Sequence, residues 1–256
     1  MSRILRNFRV KLLQEKNLGG YLIYAFGEIA LIVVGILVAL WIDNWNEDRQ
    51  MAKREQFYLA GLQKEFETSR LKLQNLMEAN RSSYQKAREL ADFIATSDLA
   101  PSESQLSQLL FQAYSEDMDY QPNNSLLQEM INSGRLEILS QTELRSHLTA
   151  WVSRVERIRH QEANLREQRN RTLDLARSGG ASIRSILEQT GVASVTMGLA
   201  PSENPGSNQA LLRSREFENN TLIFILTAIA TEEQHYQPLL EEIDTILSLL
   251  AQEIKG

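Results

Sequence analysis

Glu28 is the residue whose placement most demands a chemical explanation. It is the one charged side chain in the stretch Tyr21 to Ile42, YLIYAFGEIALIVVGILVALWI. A carboxylate inside so apolar a run costs about 2.5–3.5 kcal/mol on insertion scales, so it needs a polar partner or a water-filled path. Gly27, Gly35 and Ala39 accompany it, and Gly35-xxx-Ala39 is a small-xxx-small pair that lets helices approach closely. Three uses follow for Glu28: a structural or oligomer contact, a conducting or proton-handling position, or a contact to another membrane protein. The first is adopted here, with Glu28, Gly27, Gly35 and Ala39 as the contact set.

Two further constellations carry chemistry. Glu232-x-x-His235 has the i, i+3 spacing used in carboxylate-bridged di-metal bundles, which require a second such pair and two more facing glutamates. The remaining histidines sit in Glu143-x-x-x-His147 and Glu156-x-x-x-His160, at the wrong spacing, so no metal site and no cofactor is expected. Arginines recur at 154, 157, 159, 166, 169, 171 and 177. Arg154, Arg157, Arg166 and Arg169 are the candidate face for an anionic partner. Glu162–Arg166 and Glu167–Arg171 are i, i+4 pairs, which favour a solvated, salt-laced helix instead.

Composition removes whole classes of activity. The chain has no cysteine, which excludes disulfides, thiolate metal sites, Fe–S clusters and cysteine nucleophiles. No G-x-S-x-G elbow, Walker loop or G-x-G-x-x-G turn is present, and no S-x-x-K has plausible partners. The chain is therefore expected not to be an enzyme. A net charge of −6 argues against nucleic acid as a partner.

The elements that must position these residues begin with the apolar stretch. Its 22 residues span roughly 33 Å as a helix, against a bilayer core of about 30 Å. Tyr21 and Tyr24 at one end and Trp41 and Trp45 at the other are placed as interfacial anchors. A cleaved signal peptide would have a shorter apolar run and small residues before the cut. Leu40-Trp41-Ile42 is bulky there, so an uncleaved anchor is expected. Residues 1–20 carry five basic residues against one acidic, which puts the N-terminus in the cytoplasm and residues 43–256 outside. In a Gram-negative bacterium that is an inner-membrane protein with a periplasmic domain. Within residues 1–20, Ile4, Leu5, Phe8 and Leu12 share a helical face beside Arg3, Arg6, Arg9 and Lys11, a basic amphipathic segment suited to anionic lipid.

Beyond Ile42 the pattern is helical throughout. From Asn44 to Thr96 there is no proline, and Leu59, Leu62, Phe66, Leu73, Leu76, Ala87, Leu90 and Ile94 follow a 3–4 spacing of coiled-coil character. Gly61 is the one glycine there. Ser102-x-x-Gln105 and Ser140-x-x-Glu143 read as capping boxes. The second opens a long helix with Leu144, Leu148, Trp151, Val155, Ile158 and Leu165 on one face, stopped by Gly179-Gly180. Short helices are expected up to Tyr114, over 125–133 and over 181–189. A flexible loop is expected over about 190–210. The last helix, 215–254, carries a seam of Leu222, Ile225, Ile229, Tyr236, Leu239, Ile243, Ile246 and Leu250, with a kink or break at Pro238. The fold class is all-α: one N-terminal transmembrane helix plus an antiparallel helical bundle with long coiled-coil-like helices.

The stretch Tyr21–Glu47, Y-L-x-Y-A-x-G-E-I-x-L-x-V-x-G-I-L-x-A-L-x-I-x-N-W-N-E, resembles the start of an uncharacterised family of bacterial single-span membrane proteins. Asn132–Arg145, NSGRLEILSQTELR, is similar to a second recurring motif of that family. The resemblance implies a short basic helix, a span and a helical extracytoplasmic region. It implies no chemistry.

The expectation is thus a non-catalytic single-pass protein acting in sensing, scaffolding or interaction, with the lipid bilayer and either copies of itself or another membrane protein as partners. The rival classes are an oligomeric ion or proton pathway lined by Glu28 and a small-ligand receptor of the periplasm. The latter requires a pocket between the bundle helices.

Overall fold

A computed structural model describes residues 18–96 and 100–254. Helices account for more than four-fifths of them, and no strand occurs among the described residues. Helix α1 runs over Leu18–Ala95, uninterrupted by proline. The chain divides into two compact units, residues 1–55 and 56–256, so the first part of α1 belongs to one and the rest to the other.

The described part of the first unit is a bare helix. Every side chain from Ile29 to Arg54 is exposed, including Trp41 and Trp45. The apolar stretch has a mean hydropathy of 2.5 with none of it buried, and it is long enough to cross a membrane. Arg49 lies over the Trp45 ring at 5.8 Å from its centroid. The anchors Arg3, Arg6, Arg9 and Lys11, and the side chains of Tyr21 and Tyr24, lie outside the described residues. The second unit begins at Gln56, and residues 43–54 bury nothing.

In the second unit three long pieces form the frame. These are the end of α1, α4 (Thr142–Leu175), and a third composed of α7 (Arg215–Thr231), a π turn (Glu232–Tyr236) and α8 (Gln237–Glu253). The third runs antiparallel to the other two. Gln56 reaches Glu253, Arg70 reaches Asp244 and Asn80 reaches Ala228. His147 reaches Glu242, Gln161 reaches Thr231 and Asn220 reaches Arg171. The expected seams are buried on α4 and, save for half-buried Leu76 and Ile94, on α1, because apolar residues at 3–4 spacing keep one face inward. On α7 the expected seam residue Leu222 is 49% exposed, with Ile223 and Leu226 beside it. The buried face there is Phe217, Thr221, Phe224, Ile225 and Ala228.

Short helices close the frame. The Ser102 hydroxyl accepts from the Gln105 amide at 3.2 Å and starts α2 (Glu103–Tyr114). Helix α3 (Ser125–Asn132) has no side-chain cap from Asn124. Glu65 of α1 supplies it instead, accepting from the Leu126 amide at 2.7 Å and the Leu127 amide at 3.3 Å. Gly61 has its reason here, since a Cβ would lie 2.4 Å from Leu126 Cδ2. Helix α4 has Gln141 rather than the expected Ser140 at its N-cap position, and the Gln141 side chain makes no capping bond. A π turn over Ala176–Gly180 ends α4 at the expected glycines.

Residues 181–189 form α5 (Ile183–Gln189), followed by a single turn, α6 (Val192–Val195). The segment expected as a loop carries several polar bonds. Glu188 accepts from the Ser202 amide at 2.8 Å, and Ser185 donates to the Gly206 carbonyl at 2.7 Å. Fully buried Asn208 donates through both its amide groups to Glu103 at 2.9 Å. Glu188 is held below its usual pKa by Arg184 and then by the Ser202 amide. Polar side chains at fixed places do what apolar burial does elsewhere in the unit.

Candidate functional site

The interior of the second unit is two apolar clusters, not one. The first gathers around Phe66, Trp151, Tyr236 and Ile243, with the Phe66 and Trp151 rings edge to face at 5.1 Å. The second gathers around Leu90, Leu106, Leu165 and Phe224. Between them each long piece places polar residues on its inner face: Asn80 and Ser83 from α1, Glu162 from α4, and Thr231 and Glu232 at the start of the π turn. All are buried. Burying so many polar groups is costly unless they satisfy one another.

The π turn organises this layer. Pro238 has no N–H and its ring crowds the carbonyl four residues back, so the helix widens just before it. The Gln237 amide reaches back five residues, to the Glu232 carbonyl. The expected break at Pro238 is thus a one-turn bulge. The extra residue rotates successive side chains onto three surfaces. Glu232 points to α1, where Arg81 donates through Nε at 3.0 Å and Asn80 Nδ2 lies at 3.5 Å. Tyr236 points to α4 and donates its hydroxyl to Glu162 Oε1 at 2.8 Å. Gln234 and His235 line an outer cleft.

Glu162 is the carboxyl group at the centre of this layer. The Tyr120 amide also donates to its Oε1, at 2.9 Å, while its Oε2 is buried with no partner. Burial pushes its pKa up to about 7, opposed by the Tyr236 hydroxyl and the Tyr120 amide. The Tyr236 phenol is raised by burial and by Glu162, so it remains a donor at neutral pH. Tyr120 in turn donates to the Ser69 carbonyl of α1 at 3.0 Å. One carboxyl group therefore links α4, the π turn, the 117–124 loop and α1.

The arginine band does not present itself as one face. Glu162 has turned inward, so the expected Glu162–Arg166 pair is absent. Arg166 binds Asp117 instead at 2.6 Å, joined by Arg169 at 3.7 Å. Arg154 binds Glu242 at 3.2 Å, and that same carboxylate holds His147 at 2.8 Å. The Glu167–Arg171 pair forms as expected. Of the candidate anion face Arg154, Arg157, Arg166 and Arg169, only Arg157 has no carboxylate partner among the described residues.

Arg157 lies on the outer cleft, of about 290 Å³, with Arg154, Gln234 and His235 on its polar side and Ile158, Pro238 and Leu239 on its apolar side. The histidine is held below its usual pKa by burial and then by Arg157. Glu232 and His235 diverge, to α1 and to the cleft. Among the described residues, no three His, Asp or Glu side chains are grouped to hold a metal.

Sequence reasoning missed the polar layer although a signal was present. Asn80 lies three residues after Met77, and Glu162 lies between Ile158 and Leu165 at helical spacing. A polar residue in phase with an apolar seam must be buried. Glu28, Gly27, Gly35 and Ala39 lie on the bare part of α1, where no other part of the described chain covers Gly27 or Gly35.

Comparison with curated proteins and with solved structures finds no match. The sequence pattern of a family of unknown function (DUF6090) matches residues 28–172, from Glu28 through α4, and takes in the Asn132–Arg145 motif. That is more than half of the chain, which belongs to this family.

Proposed function

We propose that the chain is a non-catalytic single-pass inner-membrane protein, its N-terminus cytoplasmic, whose periplasmic helical bundle acts in sensing, scaffolding or protein interaction as a homo-oligomer. One contrast carries this reading. The second unit closes its own core, with large side chains such as Trp151, Tyr236 and Phe66 almost wholly buried. The apolar stretch of the first unit buries nothing. Roughly 25 cal/mol per Å2 of exposed apolar surface makes an uncovered stretch of this length untenable in water. Lipid and other helices are the covers that suit it, and Glu28 beside Gly27, Gly35 and Ala39 suits a helix partner over lipid alone.

The supporting experiment is native mass spectrometry of the full-length protein in nanodiscs, beside Glu28→Gln. A defined oligomer, weakened or altered in the variant, is the expected result. A monomer in both would remove self-association from the reading. The pathway alternative separates in the same preparation, since it requires an ion flux that Glu28→Gln abolishes, whereas the contact reading requires none.

A further inference from the structure

The arginines of α4 differ in one respect. Arg154, Arg159, Arg166, Arg169 and Arg171, and Arg177 in the π turn that follows, each have a carboxylate within 4 Å. Among the described residues Arg145 and Arg157 have none; Arg145 donates to the Thr142 hydroxyl at 3.1 Å, whereas Arg157 lies on a cleft lined by no acidic residue. Arg154, on the same wall, spends one nitrogen on Glu242 but has a buried Nε without an acceptor. His235 faces them across the cleft from the π turn. The site thus combines two cations, an imidazole and the Gln234 amide with an apolar floor. It sits in a unit, residues 56–256, that carries 19 basic and 27 acidic residues, so the local excess of positive charge runs against the surroundings.

We propose that the cleft between α4 and the π turn binds a small organic carboxylate with a short apolar part, its charge held by Arg157 and His235 and its apolar part laid on Ile158, Pro238 and Leu239. The guanidinium fork is suited to a carboxylate, and the pocket of about 290 Å³ admits a ligand of only a few to a dozen heavy atoms. A bare inorganic anion would leave the apolar floor unused. Occupancy would bridge α4 to the turn that carries Tyr236 and Glu232, and through them α1. The ligand class rests on the reading of the bundle as a sensing module. Its test does not, because association of the spans is read by mass and binding is read by heat, so either can fail alone.

Isothermal titration of the full-length protein in nanodiscs, corrected with empty nanodiscs, uses benzoate, the neutral isostere benzamide, and inorganic phosphate. Benzoate is expected to bind saturably at one site per chain, and benzamide and phosphate at least tenfold more weakly. Arg157→Gln, an exposed position whose loss leaves the fold intact, is expected to weaken benzoate at least tenfold. Arg159→Gln, one helical step away, is expected to leave it unchanged. Absence of benzoate binding overturns the proposal. So does equal binding of phosphate or benzamide, equal affinity in Arg157→Gln, or an equal loss in Arg159→Gln, which would mark general attraction to a basic helix.

Discussion

The Tyr236 hydroxyl donates to Glu162 Oε1 at 2.8 Å, from a π turn to the middle of α4, with both side chains almost wholly out of solvent. This bond ties the two clusters of the core together. It depends on the bulge that Pro238 imposes, since without the additional residue in the turn Tyr236 and Glu232 would not face different helices. A polar contact of this kind contributes little net stability but fixes register, because a slip of either helix leaves a buried carboxyl group without donors.

Glu162 gives the bundle a pH dependence of definite sign. Its pKa is raised from 4.5 to about 7 on folding. Between those values the folded state binds the additional proton, so this contribution is fully present below about pH 4.5 and is lost as pH rises through 7. The shift corresponds to roughly 3 kcal/mol at most. Glu162→Gln keeps an acceptor for Tyr236 and Tyr120 and removes the charge. Urea denaturation is expected to show wild type and variant alike near pH 4.5, with the variant the more stable by roughly 1–3 kcal/mol at pH 8. Equal stabilities at pH 8 would contradict the burial assigned to this group.

Tyr236→Phe removes the hydroxyl and keeps the ring. Glu162 then retains only the Tyr120 amide as donor. The lost bond favoured the ionised form, so the Glu162 pKa is expected to rise further, read directly from its carboxyl carbon-13 shift. A stability cost of about 1–2 kcal/mol at neutral pH is expected. A carboxyl titration that moves downward would contradict the geometry.

Much of the frame was legible in the sequence, for a physical reason. Apolar residues at 3–4 spacing must face inward, so Leu59, Leu62, Phe66, Leu144, Leu148 and Trp151 declared their helices and their faces. Ser102 and Gly179-Gly180 declared helix ends through local backbone chemistry. The polar layer was hidden because Asn80, Ser83 and Glu162 are residue types ordinarily solvated, and only their phase gave them away. The cleft was hidden because it exists only when residues 154–158 and 234–239 meet, which no local pattern encodes. Leu222 misled because α7 has apolar residues on more than one face, and the sequence alone does not say which face the bundle takes.

The cap on α3 comes from a residue some sixty positions earlier, which local sequence cannot reveal. Glu65→Ala is expected to cost about 1 kcal/mol, in the range of ordinary N-cap losses. Hydrogen exchange should locate the effect, with the Leu126 and Leu127 amides losing protection while the α4 seam keeps its own. Unchanged exchange at those two amides would show that Glu65 is not their acceptor.

The reading as a whole turns on what covers the bare apolar helix. The absence of cysteine makes a direct measurement simple: single cysteines placed in turn at positions 25 to 40, oxidised in native membranes, and scored for disulfide-linked dimer. The account predicts crosslinking that peaks at Gly27, Glu28, Gly35 and Ala39 and recurs every three to four residues, the signature of two helices meeting on one face. No crosslink at any position, or a yield that is flat along the stretch, would contradict it.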